Sequence, residues 1–217
     1  MDPLVASTDV FMTSVVWVGS KSLSHVLACI DRTRARLIEA GAASEQARGQ
    51  IISSVMDYWH AHPGVALSII EKLLNYSILT PIAVINWALV GAGSDGGAAL
   101  ARPHVFEMVF HTVAKVTGRA RLVVSDPAVD LHTKAADVAA MRALFAALED
   151  ALVGWATTTK KTKDEMDEGG DDNDDDNSDA LLRRWGAKWL RVFRRRCAIE
   201  EAFLTDAAKA EAVNAEA

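Results

Sequence analysis

The segment over residues 57–89, DYWHAHPGVALSIIEKLLNYSILTPIAVINWAL, constrains the fold more than any other part of the chain. Pro63 and Pro81 each suit the first turn of a helix, where the missing N–H of proline has no intrahelical partner to lose. Thr80 precedes the second of these helices and can cap it with its hydroxyl group. Apolar residues recur at helical spacing, at Val65, Ile69, Ile70, Leu73 and Leu74 and again at Ile82, Ile85 and Leu89. The segment therefore predicts a helical hairpin, the repeating unit of stacked helical proteins that bind other macromolecules.

The rest of the chain continues this helical pattern. Apolar spacing predicts further helices over about 8–18, 20–40, 51–59, 103–116, 137–155 and 180–205. The inward faces of two of them are predicted as Val105, Met108, Val109, Thr112, Val113 and Val116, and as Met141, Leu144, Phe145, Leu148 and Leu152. Residues 122–132 leave two alternatives open, a short strand-like run or an irregular connection. With no convincing sheet, the predicted fold is all-α, a HEAT-like α-α superhelix of stacked antiparallel helical hairpins.

Composition divides the chain into five parts. Residues 1–18 are interpreted as the tail of a preceding helical domain, and residues 19–156 as a helical-repeat domain. Residues 157–179 form an acidic insertion with almost nothing to bury, which predicts disorder. Residues 180–206 are interpreted as a basic amphipathic helix that completes the helical domain, and residues 207–217 as a tail.

Charge and cysteine content limit the classes of protein to which the chain can belong. The formal net charge is −6, but residues 164–179 hold ten acidic side chains and no basic ones, so the rest of the chain carries +4. A mildly basic domain permits a nucleic-acid partner without demanding one. Cys29 and Cys197 are isolated, which suits a reducing compartment. No uninterrupted apolar run approaches the roughly 20 residues that span a bilayer, so the sequence predicts an intracellular soluble chain with no membrane partner.

The glycine-rich stretch over residues 91–97, GAGSDGG, contains the spacing G-x-G-x-x-G of dinucleotide-binding proteins. Such a site needs a strand–helix–strand unit and an acidic residue for the ribose. Here the preceding segment begins with a helix-type Thr-Pro cap, no later strand completes the unit, and no acidic residue stands at the ribose position. The stretch is therefore predicted to be a flexible loop.

No catalytic, metal or cofactor site is assigned. His104, Glu107 and His111 share a helical face, but a helical zinc site normally places ligands four residues apart, so a polar stripe is favoured. Ser22, with Ser24 and His25 nearby, is interpreted as a helix cap rather than a nucleophile. An enzyme that uses the glycine stretch or the histidine face would need bound zinc or a nucleotide-induced thermal shift to support it.

The last helix carries a basic stripe. Arg184, Lys188, Arg191 and Arg195 recur on one face, where they are candidates for contact with RNA or with an acidic partner. Leu182, Trp185, Trp189, Val192 and Phe193 recur on another face. The tryptophans could stack on bases, but the favoured interpretation makes them the core face and the basic side chains the solvated one.

Four segments resemble, in order, the C-terminal region of the large subunit of the nuclear cap-binding complex, with the fungal members most similar. They are VGSKSLSHVLA (18–28), VMDYWHAHPGVALSIIEKLL (55–74), AVINWAL (83–89) and HVFEMVFHTVAK (104–115). The resemblance covers residues 9–118 well and continues more weakly through the last helix. The combination of G-S-K-S-x-S-H with W-x-x-H-P is its specific part.

The resemblance implies a helical domain related to the middle domain of the translation-initiation scaffold, with no catalytic role. It implies a subunit, or a C-terminal fragment, partial gene model or truncated paralogue of one, that supports a small RRM-type subunit in capped mRNA processing, export and decay. The aromatic residues that stack on the cap belong to the small subunit, so capped RNA is reached indirectly. A nuclear location follows, with cytoplasmic shuttling as a further option. The alternative is a translation-initiation-type scaffold that binds a helicase or another protein.

Three residues near the hairpin are candidates for contact with a protein partner. They are Trp59, His60 and Trp87, polar or aromatic positions in or beside the most specific motifs. Both tryptophans could equally belong to the core, and the sequence leaves that choice open.

Deletion of residues 164–179 is expected to raise nonspecific RNA affinity at low salt. The acidic tract lies just before the basic stripe and would otherwise act as a mobile counter-charge, an interaction that salt screens strongly. Fluorescence anisotropy with an unstructured RNA, recorded at low and at high salt, measures the effect. An unchanged affinity at low salt would contradict it.

Overall fold

The protein is described here by a computed structural model, which covers residues 2–157 and 172–216. These residues form eight α-helices and one 3-10 helix, and the described part contains no strand. The elements are α1 (Pro3–Val18), α2 (Leu23–Ala43), α3 (Glu45–Tyr58), α4 (Pro63–Asn75), α5 (Pro81–Leu89), the 3-10 helix η1 (Ala92–Ala101), α6 (Pro103–Ser125), α7 (Leu131–Thr157) and α8 (Asp172–Glu216). The predicted all-α fold is confirmed.

Short side chains and prolines set where these helices begin. Ser22, Ser44 and Thr80 each accept a hydrogen bond from the backbone N–H three residues on, at 3.2, 3.0 and 3.1 Å. Each thereby satisfies one of the N–H groups that a helix leaves without an intrahelical partner. Pro63 and Pro81 occupy the first positions of α4 and α5. The predicted starts of both hairpin helices are confirmed, and so is the capping role of Ser22.

The chain divides into two compact units, each described by itself. The first comprises Met1–Asp95 and Arg102–Thr112, and the second comprises Gly96–Ala101 and Val113–Ala217. The domain boundaries predicted from composition stay a prediction.

In the first unit, α3 contacts α1, α2, α4 and α5. Its residues Ile51, Ile52 and Val55 are completely buried. A polar contact ties α3 to α1, because Asp9 Oδ1 accepts hydrogen bonds from Ser54 Oγ at 2.7 Å and Gln50 Nε2 at 3.0 Å. Two donors thus satisfy a carboxylate that lies between packed helices.

The hairpin buries most of the face that its spacing predicts. Ile69, Ile70, Leu73, Leu74, Ile85 and Leu89 are buried. Val65 is only half-buried, and Ile82 is 38% exposed, so the prediction for Ile82 is wrong. Nearly every residue of α5 is apolar, so spacing alone does not select which side of this nine-residue helix faces the core.

In the second unit, α7 packs against α8. All five residues predicted to face inward from α7 are buried, and three of them, Phe145, Leu148 and Leu152, line one cleft with Leu190 and Phe193 of α8. Salt bridges join the same helices, Arg194 to Glu149 and Arg142 to Glu201, each at 2.7 Å. Because these pairs are exposed, they add little to the stability of the unit.

Three boundaries differ from the predicted ones. Helix α6 continues to Ser125 and α7 begins at Leu131, so only a short link remains of the ambiguous stretch over 122–132. A 3-10 helix replaces the predicted flexible loop. Helix α8 begins at Asp172, before the predicted start near residue 180, since a helix anchored by packing extends at little cost into polar sequence. The segment over 157–179, predicted to be disordered, is therefore helical at both ends, and its residues 158–171 lie outside the described part.

Within the described ranges, no helix has the length and apolar character to cross a membrane.

Ile69→Ala is expected to lower the free energy of unfolding by about 2–5 kcal/mol, since Ile69 is completely buried and its truncation leaves a cavity. Urea unfolding followed by circular dichroism measures the loss. Ile82→Ala is the matched control, because the same change at a 38% exposed site should cost far less. Equal losses at both sites would contradict the burial described for this hairpin.

Candidate functional site

A cavity of about 420 Å³ opens in the first unit, where α3 ends and α4 begins. It is lined by Ser53, Met56, Asp57, Trp59, His60, Pro63, Trp87, Ala92, Gly93, Asp95, Arg102, His104 and Val105. The three residues predicted as protein contacts, Trp59, His60 and Trp87, therefore lie on one cavity although they come from two different segments. Its volume falls in the range of small-ligand sites. We call it the tryptophan pocket.

Trp87 forms a fixed wall of the tryptophan pocket. Its Nε1–H donates a hydrogen bond to Ser53 Oγ at 2.8 Å, and only 9% of the residue is exposed. Gly93 lies so close to the ring that an added Cβ would stand 2.5 Å from Cε3. The indole is thus held at both its polar atom and its ring, so Trp87 is a buried residue that also lines the pocket.

Trp59 is held differently. It follows α3 directly, and its backbone carbonyl accepts a hydrogen bond from the His62 N–H at 2.7 Å in the turn before Pro63. The side chain is half-buried, and its Nε1–H is shielded from solvent without an acceptor among the described residues. A buried donor without a partner is uncommon and costs free energy. Trp59 is therefore the indole of the pocket whose polar atom remains unsatisfied.

The charged groups of the pocket leave an excess carboxylate. Asp95 and Arg102 form a salt bridge with each other. Asp57 is exposed, and within the described part of the chain its carboxylate has no ion-pair partner. His60 Nδ1 lies 2.8 Å from the Asp57 backbone carbonyl, a contact that an Nδ1–H donor would make. Asp57 thus gives the pocket one net negative charge when its histidines are neutral.

The surroundings of His104 favour its neutral form by lowering its pKa. Burial lowers the pKa of this half-buried imidazole, and the positive charge of Arg102 lowers that pKa further. Glu107 acts weakly in the opposite direction. The polar stripe of His104, Glu107 and His111 does not converge on one point, and among residues 2–157 and 172–216 no cluster of three or more potential ligands could hold a metal ion.

The basic stripe lies on α8 in the second unit. Arg184, Lys188, Arg191 and Arg195 are all exposed. Lys188 Nζ lies 4.5 Å from the ring centroid of Trp185. Trp189, one turn after Trp185, is 2% exposed. The core interpretation holds for Trp189 and Phe193 but is wrong for Val192, which is 41% exposed.

Several residues of the tryptophan pocket escaped the sequence prediction. Asp57 lies inside a quoted motif but gave no signal beyond its charge, and the pairing of Asp95 with Arg102 depends on the path of η1. Backbone torsions near Asp95 explain why: Asp95, Gly96 and Gly97 have φ values of 47°, 60° and 96°. Such left-handed runs are favoured by glycine and aspartate, but composition alone does not show where they direct the chain.

The fold and its pocket define a domain of the helical-repeat class. The family model described as MIF4G like matches residues 1–202. The chain belongs to this family.

Relatives from different organisms that match this chain share one protein name. Nuclear cap-binding protein subunit 1 of Anopheles gambiae is 28% identical over 108 residues, which cover 50% of this chain and 13% of that protein. The protein of the same name from Schizosaccharomyces pombe is 24% identical over 115 residues, 53% of this chain and 14% of that protein. The resemblance stated from the motifs is confirmed, and the chain spans only a small part of the length of these relatives.

Gly93→Ala is expected to destabilise the first unit by about 1–3 kcal/mol, because the new methyl group would overlap the confined Trp87 ring. Gly64→Ala is the control, since a Cβ there meets nothing within 4 Å. That change should be neutral or slightly stabilising through reduced entropy of the unfolded chain. Urea unfolding of both variants measures the difference, and equal midpoints would argue against the described contact.

Proposed function

We propose that the chain is a scaffold part of a nuclear cap-binding complex that supports the small RRM-type subunit during processing, export and decay of capped mRNA in the nucleus. The observation that carries this proposal is the match to subunit 1 of that assembly in insects and in fission yeast, within a family match over residues 1–202. A helical-repeat domain suits the role, because stacked hairpins present extended side-chain surfaces to other macromolecules.

The chemistry of the tryptophan pocket favours binding over catalysis. Ser53 Oγ accepts the Trp87 N–H, and the described contacts pair it with no imidazole. Ser22 Oγ caps α2 by accepting the N–H of His25. A nucleophile needs a positioned base and an oriented third group, and neither hydroxyl group has them among the described contacts.

We place the contact with a protein partner at Trp59, His60 and Trp87. Tryptophan is enriched among the residues that dominate binding energy at protein interfaces, particularly beside a pocket. Trp87 supplies a rigid wall, while the half-buried Trp59 and the exposed His60 are reachable from solvent. Rigid aromatic walls lower the entropy lost on binding.

The basic stripe is proposed as a second, less specific contact with RNA or with an acidic partner. Arg184, Arg191 and Arg195 form no ion pair within the described residues, so their charges remain available. Such side chains attract phosphates through a strongly salt-dependent interaction that carries little sequence information.

Trp59→Ala is expected to weaken capture of a small RRM-type cap-binding subunit at least about tenfold, a typical loss for a central interface tryptophan. Pull-down followed by surface plasmon resonance measures it. Trp17→Ala is the matched control, because Trp17 is 66% exposed on α1 of the same unit and does not line the pocket.

The possible outcomes test the proposed complex and the proposed contact site separately. Failure of the wild-type chain to capture the small subunit would refute the proposed complex. Normal capture by the Trp59→Ala variant would refute the pocket as the contact. Displacement of the small subunit by a translation-initiation helicase would favour the alternative scaffold role.

A further inference from the structure

We infer that the tryptophan pocket binds a basic peptide segment, whose Arg or Lys side chain lies against the Trp59 ring and pairs with the Asp57 carboxylate. The inference deepens the proposed function, since it takes the pocket as the place where a protein partner docks and names the chemistry of that partner. Three observations within the first unit carry it.

The first observation is that a carboxylate and an aromatic ring elsewhere in this unit already hold a cation between them. On α2 and α4, Lys72 Nζ lies 3.1 Å from Asp31 Oδ1 and 4.6 Å from the ring centroid of Tyr76. Arg34 lies over the same ring at 4.4 Å. A carboxylate beside an aromatic face therefore holds a cation in this protein, as electrostatic attraction to the ring predicts.

The second observation is that the pocket contains a carboxylate and an aromatic ring, and no cation among the described residues pairs with that carboxylate. Asp57 and Trp59 line one cavity and are two positions apart. The cation that lines this cavity, Arg102, is paired with Asp95. No side chain among the described residues pairs with Asp57. A basic side chain from a partner would supply the missing charge.

The third observation is that the Trp59 ring can rotate without losing a hydrogen bond, whereas the Trp87 ring cannot. Trp87 is fixed by its hydrogen bond to Ser53 and by Gly93. The Trp59 N–H has no described acceptor, so a rotation of this ring breaks no hydrogen bond. A rotated Trp59 can donate to a backbone carbonyl of the bound peptide, which removes the cost of an unpaired donor.

A nucleotide fits these groups less well. Its phosphates would approach the unpaired carboxylate of Asp57, where like charges repel. Stacking of its base on Trp87 would be restricted, because Gly93 lies against that ring. The charge and the packing therefore favour a peptide.

The test uses the whole ¹⁵N-labelled chain, whose tryptophan indole N–H signals report on each ring separately. The Trp59 signal is assigned by its loss in Trp59→Phe. The probes are acetyl-Gly-Arg-Gly-amide, its lysine analogue, and a citrulline analogue that keeps the shape of arginine without its charge. The basic peptides should shift the Trp59 signal saturably, and the citrulline peptide should bind at least about tenfold more weakly.

Asp57→Asn should weaken binding of the arginine peptide by about tenfold, since it removes the paired charge and keeps the shape. Glu39→Gln is the control, because it removes an exposed carboxylate of the same unit that does not line the pocket. An unchanged pattern of the other indole signals shows that each variant is folded.

Three results would overturn the inference: equal binding of the citrulline peptide, full binding by Asp57→Asn, or no shift up to about 10 mM peptide, above a millimolar dissociation constant. A Trp59 shift with 7-methylguanosine monophosphate but not with the peptides would instead assign a nucleotide site. Peptide binding without capture of the small subunit would refute the proposed complex and leave this inference standing. Capture of the small subunit without peptide binding would refute this inference and leave the proposed complex standing.

Discussion

The burial of α3 is the constraint on which the first unit depends. Ala47, Ile51, Ile52 and Val55 have no solvent exposure, and α1, α2, α4 and α5 all contact this helix. A fully buried aliphatic side chain contributes roughly 1.5–3 kcal/mol relative to its exposed state, so α3 fixes the positions of its neighbours. The pocket follows from that position. Ser53 and Asp57 lie on the last turns of α3, and Trp59 comes directly after its end.

The structure distinguishes two tryptophans that the sequence treats alike. Trp87 lies 34 positions after the serine that accepts its N–H, so the bond depends on the packing of α5 against α3. Trp59 lies at the junction of two helices and receives no such partner within the described residues. One indole is therefore buried with its N–H paired, and the other is half-buried with its N–H unpaired among the described residues.

Local signals made the helical elements predictable, and long-range packing limited the rest. The prolines and Thr80 act within three residues of themselves, and their predicted positions are confirmed. The inward face of α7 is also confirmed, because its large apolar side chains recur at helical spacing and the residues between them are mostly alanine or charged. Ile82 was misplaced because α5 is apolar on every side, and the salt bridge between Asp95 and Arg102 was missed because it depends on left-handed torsions. The sequence thus identified the aromatic residues of the candidate site, but not its charged residues Asp57, Asp95 and Arg102.

The two candidate surfaces carry opposite charge and differ in how water reaches them. The basic side chains of α8 are exposed, so any attraction to phosphates acts through solvent and weakens within a Debye length of about 10 Å at moderate salt. In the tryptophan pocket, a cation that pairs with the exposed Asp57 would also contact the half-buried Trp59 ring, so a cation–π contact would add to the charge pairing. Under the proposed function, the stripe would raise the local concentration of RNA or acidic chains with little selectivity. Selectivity for a protein partner would then reside in the pocket, because a side chain of the wrong charge or shape leaves Asp57 and the Trp59 N–H unpaired.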